Sequence, residues 1–226
     1  MHIVRLWNVG ALYMHSKQKW MLGSIVVFVL ALGWRYPLFG LVVPVVVASG
    51  LTVSIFRGRY FCGNWCPRGA FLDSLALPVR GWRALPVLFQ RRSFRWAAVV
   101  VLFSVMIGRG LQDPASMEQW GSVFWQMCLV TTAIALVLAV VYWSRAWCAI
   151  CPVGTLQGVL GGQCYRFTIK STCRGCGLCE KHCPLSLPIV ASRSAGHIES
   201  ADCLKCGRCQ AVCPVNAIGK PAEKEW

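Results

Sequence analysis

All but two of the 14 cysteines fall in short, regularly spaced runs, and the runs are of two kinds. The first kind lies near the C-terminus. "CRGCGLCEKHCP" carries Cys173, Cys176, Cys179 and Cys183 before Pro184, and "CLKCGRCQAVCP" carries Cys203, Cys206, Cys209 and Cys213 before Pro214. Both runs place two, two and three residues between their cysteines. Three thiolates so close together can wrap three irons of a cubane, and the fourth ligand must reach in from elsewhere. With two such runs the pseudo-symmetric solution is exchange. It gives one [4Fe-4S] cluster to Cys173, Cys176, Cys179 and Cys213, and the other to Cys203, Cys206, Cys209 and Cys183. Gly177 and Gly207 lie between second and third ligands, where the backbone must bend tightly. Zinc also accepts two-residue cysteine spacing, but it needs only four thiolates and leaves the duplicated proline unexplained. Each ligated cluster is formally dianionic, and Arg174, Lys181, Lys205 and Arg208, close by in sequence, read either as charges that offset it or as ordinary solvated charges.

The second kind of run is a cysteine–proline hook. "YFCGNWCPRGAF" contains Cys62, Cys66 and Pro67, and "RAWCAICPVGTLQG" contains Cys148, Cys151 and Pro152. Aligned on the second cysteine, "CPRGAFL" matches "CPVGTLQ", and Arg–x–aromatic–Cys precedes both, as Arg59–Phe61–Cys62 and Arg145–Trp147–Cys148. The match is imperfect, with three residues between the first pair and two between the second. Each hook follows an apolar segment, so the chain reads as two repeats of helix, helix and hook. Packed about a pseudo-twofold axis, the hooks would present four thiolates to one another. Such a set suits a third iron–sulfur cluster or a structural metal. It also suits dithiols that handle electrons or metal ions, or small buried residues beside a Pro–Gly turn. Cys128 and Cys164 have no spaced partner and read as packing residues.

The elements that must position these cysteines are membrane helices. The chain is 56% hydrophobic and 14% charged, with 11 Trp, a membrane-protein composition. Four apolar segments run over 20–34, 38–56, 96–107 and 123–143. The second and fourth reach the roughly 17–25 residues a crossing needs. The first and third do so if flanking Lys and Arg snorkel, and the alternative for them is a re-entrant or interfacial helix. With the N-terminus in the cytoplasm, only Arg35 and Arg109 of the 23 Lys and Arg fall outside, as the positive-inside rule requires. The net charge of +15 is thus mainly topology, with attraction to anionic lipid second, and no motif supports nucleic-acid binding. Residues 1–19 read as an interfacial segment, with Leu6, Trp7 and Leu12 on an apolar side, and 20–163 as the membrane domain. Gly158, Gly161 and Gly162 mark a hinge before a ferredoxin-like domain at 164–226. Between the hairpins, "LALPVRGWRALPVLF" repeats "ALPV" and reads as a surface stretch or a wall of a quinone pocket. No cleavable signal peptide is expected, no histidine falls within a span to ligate haem, and no Walker loop or dinucleotide fingerprint occurs. The expected fold is an α-helical membrane protein of four spans in two hairpin repeats, followed by an α+β two-cluster ferredoxin-like domain.

Hairpin, hook, hairpin, hook and a two-cluster ferredoxin module, over 20–219, resemble the NapH/NosR-like family of membrane iron–sulfur proteins. A methylamine-utilisation membrane protein and a copper-reducing assembly factor for cbb3 oxidases share this core. The resemblance implies residence in a prokaryotic inner membrane, both termini and all clusters on the cytoplasmic side, and electron exchange with the quinone pool. It implies an electron-transfer subunit of a quinol dehydrogenase or reductase system, with other redox subunits as partners. Two other roles fit the same residues: a metal-reducing or assembly factor working through the hook cysteines, and a passive membrane anchor for another oxidoreductase. The second hook departs from the NapH pattern, which has three intervening residues there. Neither the flavin-carrying domain of NosR nor the extra C-terminal domain of the copper-reducing factor is expected, which points to a minimal NapH-like member.

Overall fold

The computed structural model describes residues 3–75 and 86–220, with side chains from Gln18 onward except Val87 and Gln90. Its four long helices are α1 (Ile3–Gly33), α2 (Val42–Arg57, entered through a 3-10 turn at Pro37–Leu41), α6 (Arg92–Gly110) and α7 (Met117–Val141). Short helices carry the hooks: α3 (Tyr60–Asn64) and α4 (Pro67–Ser74) after α2, and α8 (Trp147–Ile150) and α9 (Pro152–Gly161) after α7. A single turn, α5 (Val87–Gln90), precedes α6. The remainder of the described chain holds α10 (Leu178–Lys181), α11 (Arg208–Ala211) and two short strands, β1 (Thr168–Ile169) and β2 (Ile218–Gly219). The strands pair antiparallel, Thr168 opposite Gly219 and Ile169 opposite Ile218.

The long helices run between the same two faces. At one face Lys19 bridges to Asp73 of α4, Arg95 bonds Asp202, and α2 and α7 lead into the hooks. At the other, Trp125 Nε1 donates to the Leu30 carbonyl, and Gly40 lies against the Gly121 backbone. Pairwise packing follows a pseudo-twofold: α4 lies on α1 as α9 lies on α6, and α9 crosses to α2 as α4 crosses to α7.

Three helices, Pro37–Arg57, Arg92–Gly110 and Met117–Val141, are long and apolar enough to cross a bilayer, which marks a membrane protein. The third apolar segment is thus longer than its uncharged run suggested, because Arg92, Arg95 and Arg109 lie within the helix. The first falls short by itself: its apolar stretch is Gln18–Gly33, although the helix begins at Ile3. The outward surface of the spans is apolar, with Val45, Ile55, Val101 and Val137 exposed, as lipid contact requires. The side chains of Leu6, Trp7 and Leu12, and most of the "ALPV" stretch, lie outside the described residues.

Candidate functional site

Each hook is built by its proline. A residue before proline is driven to extended backbone, and proline itself suits the first helical position. Cys66 therefore sits at φ −65°, ψ 116° as the cap of α4, and Cys151 at φ −58°, ψ 123° as the cap of α9. The unequal spacing is absorbed locally. The Cys66 N–H donates to the Phe61 carbonyl at 2.8 Å and the Cys151 N–H to the Trp147 carbonyl at 2.9 Å. In both hooks the acceptor is the residue before the first cysteine, so the extra residue widens one turn and leaves the closure alike.

Two arginines lock the hooks together. Arg59 Nη2 donates to the Cys148 carbonyl and Arg145 Nη1 to the Cys62 carbonyl, both at 2.6 Å. Each guanidinium, three residues before its own first cysteine, thus holds the other hook. Gly69 and Gly154, three residues past the second cysteines, leave room for them: a Cβ at Gly154 would collide with Arg59, and one at Gly69 would lie 3.1 Å from Arg145. Arg145 is 3% exposed and binds Asp73 through Nε and Nη2, the latter at 2.8 Å. Arg59, fully buried, pairs with Asp202 at 3.0 Å, where Arg95 also binds bidentately. Burial opposes ionisation of Asp73, yet Arg145, with Arg208 and Lys19, holds its carboxyl below the ordinary range.

The four hook cysteines line one cavity of about 130 Å³, together with Arg59, Arg68, Trp147 and Gln157. Valines of α1 and α2 form its apolar wall. The Cys62 thiol donates to Gln157 Oε1 at 2.9 Å. Arg59 Nε, Arg68 Nε, Trp147 Nε1 and Gln157 Nε2 are buried N–H groups with no hydrogen-bond partner among the described residues. Such donors are costly unless something accepts from them. Burial pushes the Cys148 thiol up to about 12 and the Cys62 thiol well above its ordinary value, against the pull of the arginines. As free thiols both would be protonated and poorly nucleophilic at neutral pH. Cys128, which has no spaced partner in sequence, lines this cavity too, with Arg68 Nη2 at 3.8 Å from its sulfur.

The ferredoxin-like region is seated on the hooks. Cys62 and Cys148 share one buried cluster with Cys183, Cys203, Leu204, Cys209, Phe167 and Ile198. Asn64 Nδ2 donates to the Lys205 carbonyl at 3.2 Å, and Arg208 reaches Asp73 at 3.1 Å. Gly63 permits the closest approach, because a Cβ there would overlap the Leu204 carbonyl oxygen. Replacing Gly63 by Ala should therefore speed amide hydrogen exchange across 203–209, while Gly108→Ala, at an open position, should leave it unchanged. Equal protection in both variants would contradict this seating.

Cys183 lines a small cavity of about 20 Å³ with Cys203, Cys206 and Cys209. Cys173 and Cys179 pack against the margin of the same core, and Cys176 is exposed. Cys213 accepts a hydrogen bond from the Ala217 N–H at 3.3 Å. Gly177 and Gly207 adopt φ 72° and 74° as caps of α10 and α11. Among the described residues no three His, Cys, Asp or Glu close on a single metal ion. A tetrahedral zinc would need its sulfurs within about 4 Å of one another, whereas a cubane spreads them over its corners. Lys205 Nζ, buried beside these ligands without a hydrogen-bond partner, is a cation suited to an anionic cluster. The residues fit [4Fe-4S] centres.

A family model described as a 4Fe-4S binding domain matches residues 39–86 and 124–167, one hook in each segment, and a 4Fe-4S dicluster domain matches 172–217. The chain is an iron–sulfur protein, and domains of this kind point to electron transfer. It is 26% identical over 167 residues to an uncharacterized protein of Methanocaldococcus jannaschii, an alignment covering 69% of this chain and 61% of that relative. The chain thus spans less than two thirds of that protein's length. Neither the family models nor this relative carries a NapH or NosR name. No solved structure matches.

Proposed function

We propose that the chain is a NapH/NosR-like electron-transfer protein of the prokaryotic inner membrane, working between the quinone pool and a partner oxidoreductase. It crosses four times, α1 included, with both termini and all cysteine ligands on the cytoplasmic side. Support for the fourth crossing is α1 itself, which leaves the hook face at Lys19 and meets Trp125 at the opposite face. The observation that carries the function is the hook cavity: its wall is the valines of α1 and α2, and its Cys62 and Cys148 pack on the Cys203–Cys209 loop. A lipid-soluble ring entering between those helices would meet Arg59, Arg68 and Gln157, whose N–H groups can bind an oxygen acceptor.

Cys173, Cys176, Cys179 and Cys213 hold one [4Fe-4S] cluster, and Cys203, Cys206, Cys209 and Cys183 a second. Cys62, Cys66, Cys148 and Cys151 hold a third at the base of the cavity. Bound there, the clusters supply one-electron storage between a two-electron carrier and a protein acceptor. The reading of the hooks as a cluster site is supported by four thiols converging on one cavity and by its unpartnered N–H donors. Arg59 and Arg145 hold the hook carbonyls in place, and the valine wall makes the approach to the hooks apolar.

Anaerobic mixing with quinol and quinone analogues tests this, read by visible absorbance and EPR. Quinol should bleach the oxidised protein, or quinone restore the colour of the dithionite-reduced protein. Val46→Trp, which fills the cavity wall, should slow that exchange at least tenfold and leave reduction by dithionite unchanged. No exchange with quinones of any accessible potential would contradict the proposal.

A further inference from the structure

The two cysteine runs share their ligand spacing but differ at most of the positions between, and two of those are buried in the second run, Leu204 and Lys205. The second residue after the first cysteine is Gly175 in one run and Lys205 in the other. Both adopt left-handed backbone, φ 69° and φ 54°. Glycine takes that conformation freely, whereas any other residue costs about 1–2 kcal/mol there. Lys205 is also 2% exposed, and its Nζ has no hydrogen-bond partner among the described residues. A buried ammonium without a partner costs several kcal/mol more. Two unfavourable features at one residue imply a compensating charge.

We propose that Lys205 is the buried countercharge of the cluster held by Cys203, Cys206, Cys209 and Cys183, and that it raises that cluster's reduction potential selectively. The inference rests on the ligand assignment made above. Physically, reduction adds a negative charge to an already dianionic centre. Burial among Cys183, Leu204 and Cys209 disfavours that step, and a buried cation on the residue next to the ligand Cys206 offsets it. The other run has glycine at this position, and the cations nearest it, Arg174 and Arg193, are exposed and screened by solvent. Lys205 is thus a tuning residue for the membrane-proximal centre, the one seated on the hooks.

The test is an EPR redox titration of the whole anaerobic protein, with the proximal signal assigned through Cys209→Ser. Lys205→Met should lower the reduced-to-oxidised ratio of the proximal cluster at least tenfold at fixed potential, about 59 mV for a one-electron couple. The distal cluster should stay within threefold. Lys205→Arg should restore the ratio. Lys205→Gly suits the backbone and guards against a folding failure, and it should shift the ratio in the same direction as Met. Loss of the proximal signal in the Met and Gly variants with retention in Arg also supports the proposal. No shift, equal shifts in both clusters, or loss of the signal in all three variants overturns it. Absence of the proximal cluster from the unaltered protein overturns the ligand assignment instead.

Discussion

Arg145→Met should destabilise the protein by about 3–5 kcal/mol, the range for breaking one partner out of a buried ion pair. The guanidinium holds Asp73 through two nitrogens and the Cys62 carbonyl through a third, in a site where both charged side chains are 4% exposed. Methionine fills much of the volume but leaves the Cys62 carbonyl without this donor, a loss of about 1–3 kcal/mol by itself. Lys19 and Arg208 still reach Asp73, which keeps the effect from exceeding that range. Against a typical folding free energy of about 5–15 kcal/mol, such a loss would strip folded protein from the membrane. Arg145→Lys should recover little, since one ammonium cannot copy the fork. Arg145→Met combined with Asp73→Asn should recover part, because the stranded carboxylate is gone. Thermal unfolding in detergent, with Arg35→Met as an exposed control, gives the comparison. The pH dependence has a definite sign. Asp73 is depressed in the folded state, so its stabilisation is complete above the unfolded carboxyl value near 3.9 and is lost only as pH falls below it.

Replacing Cys62 and Cys151 together by Ala should remove about four irons per chain, one cubane, and leave about eight in the ferredoxin-like region. The two residues come from opposite hooks yet line one cavity, so a shared centre loses ligands from both sides. Cys128→Ala, which alters the same cavity without removing a hook cysteine, should leave the iron count unchanged. Iron that is identical in the double variant and the unaltered protein would return Cys62 and Cys151 to the role of packing residues.

Much of this site could be read from spacing, because iron–sulfur ligation is local. The two runs at 173–184 and 203–214 and the two hooks each lie within a dozen or so residues, and the Arg–x–aromatic–Cys signature marked Arg59 and Arg145 as members of a repeat. Their actual work was not legible. Arg59 meets Cys148 across 89 residues and Asp202 across 143, and Arg145 meets Asp73 across 72. Nothing in a lone Asp73 or Asp202 flags such a partner. Cys128 was invisible for a related reason: a single cysteine inside a span looks like packing until α7 is placed beside the hooks. Lys205 looked like one of four cations near the clusters, and only burial separates it from exposed Arg174 and Lys181. Helix lengths erred where charge interrupts hydropathy, so α6 extends past an apolar run that stopped short of Arg95 and Arg109.

The most direct measurement of the central claim is iron and acid-labile sulfide per chain in an anaerobic preparation of the unaltered protein. Three cubane clusters on twelve cysteines predict about twelve of each. About eight of each would leave the ferredoxin-like region intact and contradict the hook cysteines as a third electron-carrying centre.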